Sequence, residues 1–502
     1  MDSLIQGIGL LLAPKTLLVM MISSAYGLFV GAVPGLTATM AASLLIPFTF
    51  FMDPIPALAS IVCMSAMAIF AGDIPSALVR IPGTPSSAAY TQDSFALTQQ
   101  GKAEMVLGTG LICSVIGGLF GAVVLMTSAP LLAEVALNFS SFEYFWLAAM
   151  GLSATVMVSQ GSQAKGALAM CLGLFLSTVG VDITLGFPRF TFGNVDLLNG
   201  ISFIPAMIGV FGISEVLRNV MQQGGSRYTI ARVQAGKLFS GVGKRIYKYK
   251  LNMLRSAPLG TFIGILPGAG ADIAAWIAYA ISKKASKEPE KYGKGSIEAI
   301  TDASTANNAC LAGDWVPALV FGIPGDSITA VVIGVLFMKG LRPGPMIFQN
   351  QPEIVYAVYF AFIFANLLLI PFGWVAIKSS AQMLRVPKNI LIPTILLFCI
   401  TGTFAINNDV FDIIILAVLG IIGFFMERND YPVAPIVLGL VLGPILEQNF
   451  MTSMIKSDWD LTLFFVRPIG ALLGAITIAI WFFPFLTPLL ERTKKKNNGP
   501  VK

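Results

Sequence analysis

Histidine is absent from all 502 residues. That absence removes His-based zinc sites, Ser/His triads and the commonest proton shuttle. Charge is scarce as well: Asp, Glu, Lys and Arg supply 12% of the chain, against roughly 25% in soluble domains. The sequence holds no Walker loop, no GxSxG elbow and no GxGxxG at a strand-to-helix turn, so it carries no motif for nucleotide hydrolysis or familiar hydrolase chemistry. Five cysteines (Cys63, Cys113, Cys171, Cys310, Cys399) are scattered through apolar surroundings without metal spacing. They read as small core residues, with no disulfide framework and no transition-metal site. The amino terminus, MDSLIQGIGLLLAP, lacks a basic n-region and a small-residue cleavage site, so no removed signal peptide is expected.

What is abundant is apolar surface. Hydrophobic residues make up 56% of the chain and the mean hydropathy is +0.79. Runs such as Ile354 to Val375, Ile413 to Phe425 and Ala471 to Leu489 reach or approach the roughly 17 to 25 residues of a bilayer crossing. The expected fold is therefore an all-α polytopic membrane protein, with on the order of 10 to 13 spans and lipid as its surroundings. The net charge of +6 does not point to nucleic acid, because the basic residues sit in loops. The densest cluster comprises Arg218, Arg227, Arg232, Lys237, Lys244, Arg245, Lys248, Lys250 and Arg255, without an acid among them; Arg492 to Lys496 forms a second. By the positive-inside rule both face the cytoplasm.

Two motifs recur in the same order. GAVPGLTATMAA (Gly31 to Ala42) aligns with GILPGAGADIAA (Gly264 to Ala275), matching at Gly31/Gly264, Pro34/Pro267 and Gly35/Gly268. AGDIPSALVRIPG then aligns with AGDWVPALVFGIPG: Ala71 to Asp73 recurs as Ala312 to Asp314 and, after a one-residue shift, Pro75, Pro82 and Gly83 correspond to Pro317, Pro324 and Gly325. This pattern indicates duplication. It divides the chain into a membrane repeat over 1–220, a basic cytoplasmic linker over 221–255, a second repeat over 256–490 and a basic tail over 491–502. The second motif follows a strongly basic loop, whereas the first follows a segment holding only Lys15, an asymmetry that favours inverted topology.

Proline within a helix removes a donor and clashes with the preceding turn, at a cost of about 3 kcal/mol. Irregular backbone at membrane depth is tolerated only when it is packed in protein or lines a wet cavity. The Pro34-Gly35, Pro82-Gly83, Pro267-Gly268 and Pro324-Gly325 pairs are therefore expected as broken helices or re-entrant hairpins at mid-membrane. Half-helix amino termini after such breaks attract an anion, above all a carboxylate, and the carbonyls before them suit Na⁺. Thr37, Thr39, Thr84, Ser86, Ser87, Gly270 and Ser327 lie where they would join the prolines and glycines in holding a substrate. The bland alternative is a set of kinks healed by hydroxyls.

Charges inside apolar stretches cost at least about 2.5 to 3.5 kcal/mol at mid-bilayer. Arg80 is the one cation in the broken segments; it either forks onto a substrate carboxylate or pairs with Asp73. Asp73, Asp272, Asp314 and Asp326, with Asn307 and Asn308, are candidates for Na⁺ or H⁺ coupling, or caps of the broken helices. GGLFG (Gly117 to Gly121) reads as a close helix contact.

At these segments, and over nearly the whole chain, the sequence resembles the large membrane subunit of the tripartite tricarboxylate transporters, the TctA family. VPGLTATMA, DIPSALVRIPGTPSSAA, LPGAGADIAAW and the run from Gly313 to Pro345 carry the resemblance. It implies a multi-pass permease of the bacterial inner membrane, not an enzyme, importing citrate-like di- and tricarboxylates by symport with Na⁺ or H⁺ and without a cofactor. It also implies two partners: a TctB-like small membrane subunit and a TctC-like periplasmic binding protein. The alternative reading from the residues is an ion channel or a cation exchanger that moves no carboxylate.

Overall fold

The computed structural model describes residues 2–158, 162–182, 184, 186–221, 235–386 and 388–481. Arg227, Arg232, residues 222–234 of the expected linker, residues 482–490 of the expected second repeat and the tail over 491–502 lie outside the described residues. The first half runs α1 (Asp2–Leu11), α2 (Pro14–Ala32), α3 (Ala38–Phe50), α4 (Pro54–Ala71), α5 (Asp73–Val79), α6 (Thr91–Gln99) and α7 (Ala103–Ala136). There follow α8 (Ser141–Val158), α9 (Gln163–Ser177), α10 (Phe203–Met207) and α11 (Ser214–Met221), with a π-helical run at Ile208–Ile213 between the last two. The second half continues through α12 (Val242–Lys248), α13 (Lys250–Ile265), α14 (Gly270–Ala285), α15 (Ile297–Phe321), α16 (Ser327–Met338) and α17 (Ile347–Asn350). It ends with α18 (Pro352–Met383), α19 (Lys388–Asn407), α20 (Val410–Arg428), α21 (Ala434–Lys456) and α22 (Pro468–Trp481). One antiparallel pair, Gly180–Val181 with Pro188–Arg189, interrupts the helical pattern.

Among the described residues, eight helices are long and apolar enough to cross a membrane, fewer than the 10 to 13 spans expected from sequence. Part of the shortfall is the proline-glycine breaks themselves. They cut apolar runs into shorter helices, among them Ala38–Phe50 and Ser327–Met338. Part is α15, which has the length but carries Glu298, Asp302 and Asp314.

Two helices, α4 and α15, form the interior. Every residue from Ile55 to Ala71 and from Ala299 to Val320 is buried. α2 and α18 pack on α4, while α7, α13 and α14 pack on α15. Close approach depends on glycine in matching places. A Cβ on Gly31 of α2 would fall 2.3 Å from the Ala68 carbonyl oxygen of α4, and one on Gly264 of α13 would fall 2.4 Å from that of Cys310 of α15. Gly117 and Gly121 of α7 abut the Thr305 and Ala309 carbonyls, so GGLFG is a helix contact.

Two buried carboxylates tie this interior to its neighbours. Asp302 accepts from Asn252 and Arg255, each at 2.8 Å, and from the Ser256 and Ser282 hydroxyls, locking α13 and α14 onto α15. Asp93 of α6 accepts from the backbone N–H groups of Gly293, Gly295 and Ser296, at 2.7–3.0 Å, and from Tyr279 at 2.9 Å. The first half thereby grips the loop that launches α15.

Candidate functional site

The breaks have one backbone design, used twice. α5 ends at Arg80 and α15 at Gly322, both left-handed (φ 61° and 69°). The next N–H, from Ile81 or Ile323, returns to the carbonyl of Pro75 or Pro317. The chain then passes Pro82-Gly83 or Pro324-Gly325 and is caught by a reciprocal cap. Thr84 N–H donates to Ser87 Oγ at 3.2 Å and Ser87 N–H to Thr84 Oγ1 at 3.3 Å. Asp326 N–H donates to Thr329 Oγ1 at 2.8 Å and Thr329 N–H to Asp326 Oδ1 at 2.7 Å.

The glycines sit against the opposite arm of each break. A Cβ on Gly83 would lie 2.6 Å from Gly72 Cα, and one on Gly325 would lie 2.8 Å from Asp314 Cα. This register corrects the AGD alignment. Gly72, not Asp73, stands where Asp314 stands, because α4 is interrupted at Gly72 while α15 runs on to Phe321.

The breaks of the two halves meet. Gly268 N–H donates to the Gly325 carbonyl at 2.7 Å, Asp272 lies beside Ser86 and Asp326, and a Cβ on Gly270 would touch Asp326 Cβ at 3.1 Å. Around them is a cavity of about 550 Å³. Of the sequence-predicted residues, Thr37, Thr39, Thr84, Ser86, Gly268, Gly270, Asp272, Asp326 and Ser327 line it. It gathers the amino termini of three helices: α3, capped by Thr37 (Met40 N–H to Oγ1, 3.1 Å), α14, and α16, capped by Asp326.

The remaining predicted residues shape the walls. Pro34 lies in a small neighbouring crevice, and the Gly35 carbonyl accepts from Asn219 at 3.0 Å. Gly35 and Gly268 both adopt positive φ, 94° and 83°, which a side chain would strain. Pro267, Pro324, Gly325, Gly83 and Ser87 are buried behind the cavity, and Pro82 is exposed. Asp73 is buried with Tyr90 donating to its Oδ1 at 2.5 Å. Asn307 donates to Ser86 Oγ at 3.1 Å, while Asn307 Oδ1, both amide atoms of Asn308 and Ser304 Oγ have no hydrogen-bond partner among the described residues. Asp314 is buried on α15, where Cys310 Sγ donates to it at 3.6 Å.

Arg80 is placed differently from either reading of the sequence. It is exposed, outside the cavity, and in no ion pair among the described residues; Asp73 is engaged by Tyr90 instead. Its position is fixed by the left-handed turn that ends α5. The cation at the cavity is Arg218, which by sequence belongs to the basic cluster that marks topology. Glu215, Glu427, Thr155 and Tyr431 also line the cavity, and no sequence motif marks them. Glu215 and Arg218 give one faint signal, an acid and a base three apart at the end of an apolar span.

Long apolar helices that converge, broken, on a polar cavity are the architecture of membrane transport proteins. Residues 17–438 match the Tripartite tricarboxylate transporter TctA family, and the chain belongs to that family. It is 34% identical over 469 residues to the "Uncharacterized 52.8 kDa protein in TAR-I ttuC' 3'region" of Agrobacterium vitis, covering 93% of each chain. It is also 34% identical over 228 residues to the "Uncharacterized protein in TAR-II ttuC' 3'region" of the same organism, covering 45% of this chain and 94% of that one. No solved structure matches the chain at a significant level.

Proposed function

We propose that this chain is the permease subunit of a bacterial inner-membrane transporter that imports di- or tricarboxylates together with Na⁺ or H⁺. The observation that carries the reading is the charge of the shared cavity. Three helix amino termini favour an anion there, yet Glu215, Asp272, Asp326, Glu427 and Asp430 line it against Arg218 alone. A multiply charged carboxylate entering by itself would meet like charge, whereas one entering with cations would not. Asp272 and Asp326 offer one place for the coupling ion, and Asp73 with Ser304, Asn307 and Asn308 a second, more deeply buried one. The matching glycine contacts and caps support two repeats with re-entrant breaks, and the basic segment before the second motif favours inverted topology. By its family the chain acts with a small membrane subunit and a periplasmic binding protein that delivers the substrate. With the basic segment inside, the Arg218 end of the cavity faces the cytoplasm.

Proteoliposomes containing both membrane subunits test this. Saturable citrate or succinate uptake that needs the binding protein and an inward Na⁺ or H⁺ gradient is the expected result. Cation flux without carboxylate would instead make the acid-rich cavity that of a channel or exchanger.

A further inference from the structure

Arg218 is held by two carboxylates on unequal terms. Glu215, on the preceding turn of α11, is 4% exposed, hydrogen-bonded to the guanidinium and braced by Asn219 Nδ2 at 2.7 Å. Glu427, at the end of α20, approaches Arg218 Nη1 only to 3.8 Å, too far for a hydrogen bond, and its buried Oε2 has no hydrogen-bond partner among the described residues. The Arg218 side chain is 38% exposed and lines the cavity. So one carboxylate fixes the guanidinium while the other rests against it loosely.

The neighbouring residue supplies a second half-site. Asn219 donates to the Gly35 carbonyl, two residues before Thr37 caps α3, which brings α11 up to the start of that helix. α3 also differs from the other two helices that open on the cavity. α14 has Asp272 in its first turn and α16 has Asp326 as its cap, so each already carries a negative charge at its amino terminus; α3 carries none. Thr37 takes the Met40 N–H, and the partial positive charge at this helix start meets no carboxylate in its own cap or first turn.

We infer that Arg218 and the amino terminus of α3 form the cavity's carboxylate subsite, and that Glu427 holds the Arg218 guanidinium loosely until a substrate carboxylate displaces it. The inference rests on the carboxylate-transport reading above. A planar guanidinium presents a fork that fits a carboxylate through two parallel hydrogen bonds, a geometry the Glu427 contact does not achieve. Displacement breaks one long ion pair but no hydrogen bond. It leaves Glu427 facing a cavity of other acids, which favours arrival of a cation with the anion. Glu427 is thus a positioning residue, and Arg218 with Thr37 and Thr39 contacts substrate.

The test is citrate binding to the purified full-length chain, read by calorimetry and by the citrate-induced rise in melting temperature, for wild type, Arg218→Lys, Arg218→Ala/Glu427→Gln and Glu427→Gln. Glu427→Gln is expected to bind citrate about three- to tenfold more tightly, since the competitor is removed. Arg218→Lys is expected to bind about tenfold more weakly, as the fork is lost with the charge kept. The double variant, which leaves no lone charge at Glu427, is expected to melt normally but bind on the order of a hundredfold more weakly. Unchanged affinity in the double variant would overturn the assignment of Arg218, and unchanged affinity in Glu427→Gln would overturn the displacement. Wild-type protein that binds neither citrate nor succinate would overturn the transport reading and this subsite together.

Discussion

The segment from Gly72 to Ser87 and the segment from Asp314 to Thr329 follow one backbone path with different side chains. Each leaves its helix through a left-handed residue, returns an N–H to a proline carbonyl and enters the next element through a reciprocal cap. The first segment uses Gly72, Arg80 and Thr84 where the second uses Asp314, Gly322 and Asp326. Geometry is therefore held in common, and charge is placed asymmetrically. Hydroxyls of the first half meet carboxylates of the second half in one cavity, as Ser86 meets Asp272. One backbone path recurs in the two halves, with different chemistry in each.

The largest effects come from the frame. Gly31→Val and Gly264→Val each drive a side chain into a backbone carbonyl that cannot move without displacing a buried helix, α4 or α15. Both are expected to abolish recovery of monodisperse protein, and equally. If size-exclusion chromatography shows one variant well folded, the two halves do not share a frame.

Caps come next. Thr84→Ala and Asp326→Ala each remove one side of a reciprocal cap and should lower stability by about 1 kcal/mol, seen as a reduced melting temperature. Asp326→Asn retains the cap, because asparagine is as good an N-cap as aspartate, but removes a charge from the cavity. It is expected to fold as wild type and to alter the cation dependence of uptake. An unaltered cation dependence would reduce Asp326 to a cap.

The smallest effect sharpens the comparison at Arg80 and Gly322. A non-glycine residue in the left-handed region is strained, so Arg80→Gly should stabilise the protein by about 0.5–1 kcal/mol, and Gly322→Ala should destabilise it by about 1 kcal/mol. Uptake should survive Arg80→Gly, since Arg80 lies outside the cavity. Loss of uptake in a well-folded Arg80→Gly protein would return that arginine to the substrate path.

Much of this was legible in the sequence because proline and glycine act locally. Gly31, Gly35, Gly83, Gly264, Gly268 and Gly325 are each required by a close approach or a positive φ, and a residue's backbone demands can be read without knowing its neighbours. The hydroxyls and acids beside the breaks were legible for the same reason. What failed depended on distant packing. Arg218 looks like one more basic residue before a loop until α20 brings Glu427 to it from more than two hundred residues away. Arg80 looks like a buried cation until the turn carries it outward. Asp73 and Asp314 share a tripeptide, yet the interruption at Gly72 places them in different surroundings, one against Tyr90 and the other against Cys310.

Both halves line one cavity, and its proposed role is to hold a carboxylate with its cation. That role is tested most directly with single cysteines at Thr39 and Ser327, one from each half and both partly exposed in the cavity, in a background lacking the exposed Cys171. A membrane-permeant maleimide should label both, and citrate with the coupling cation should protect both to the same degree. Protection of one position only, or of neither while citrate is still transported, would contradict it.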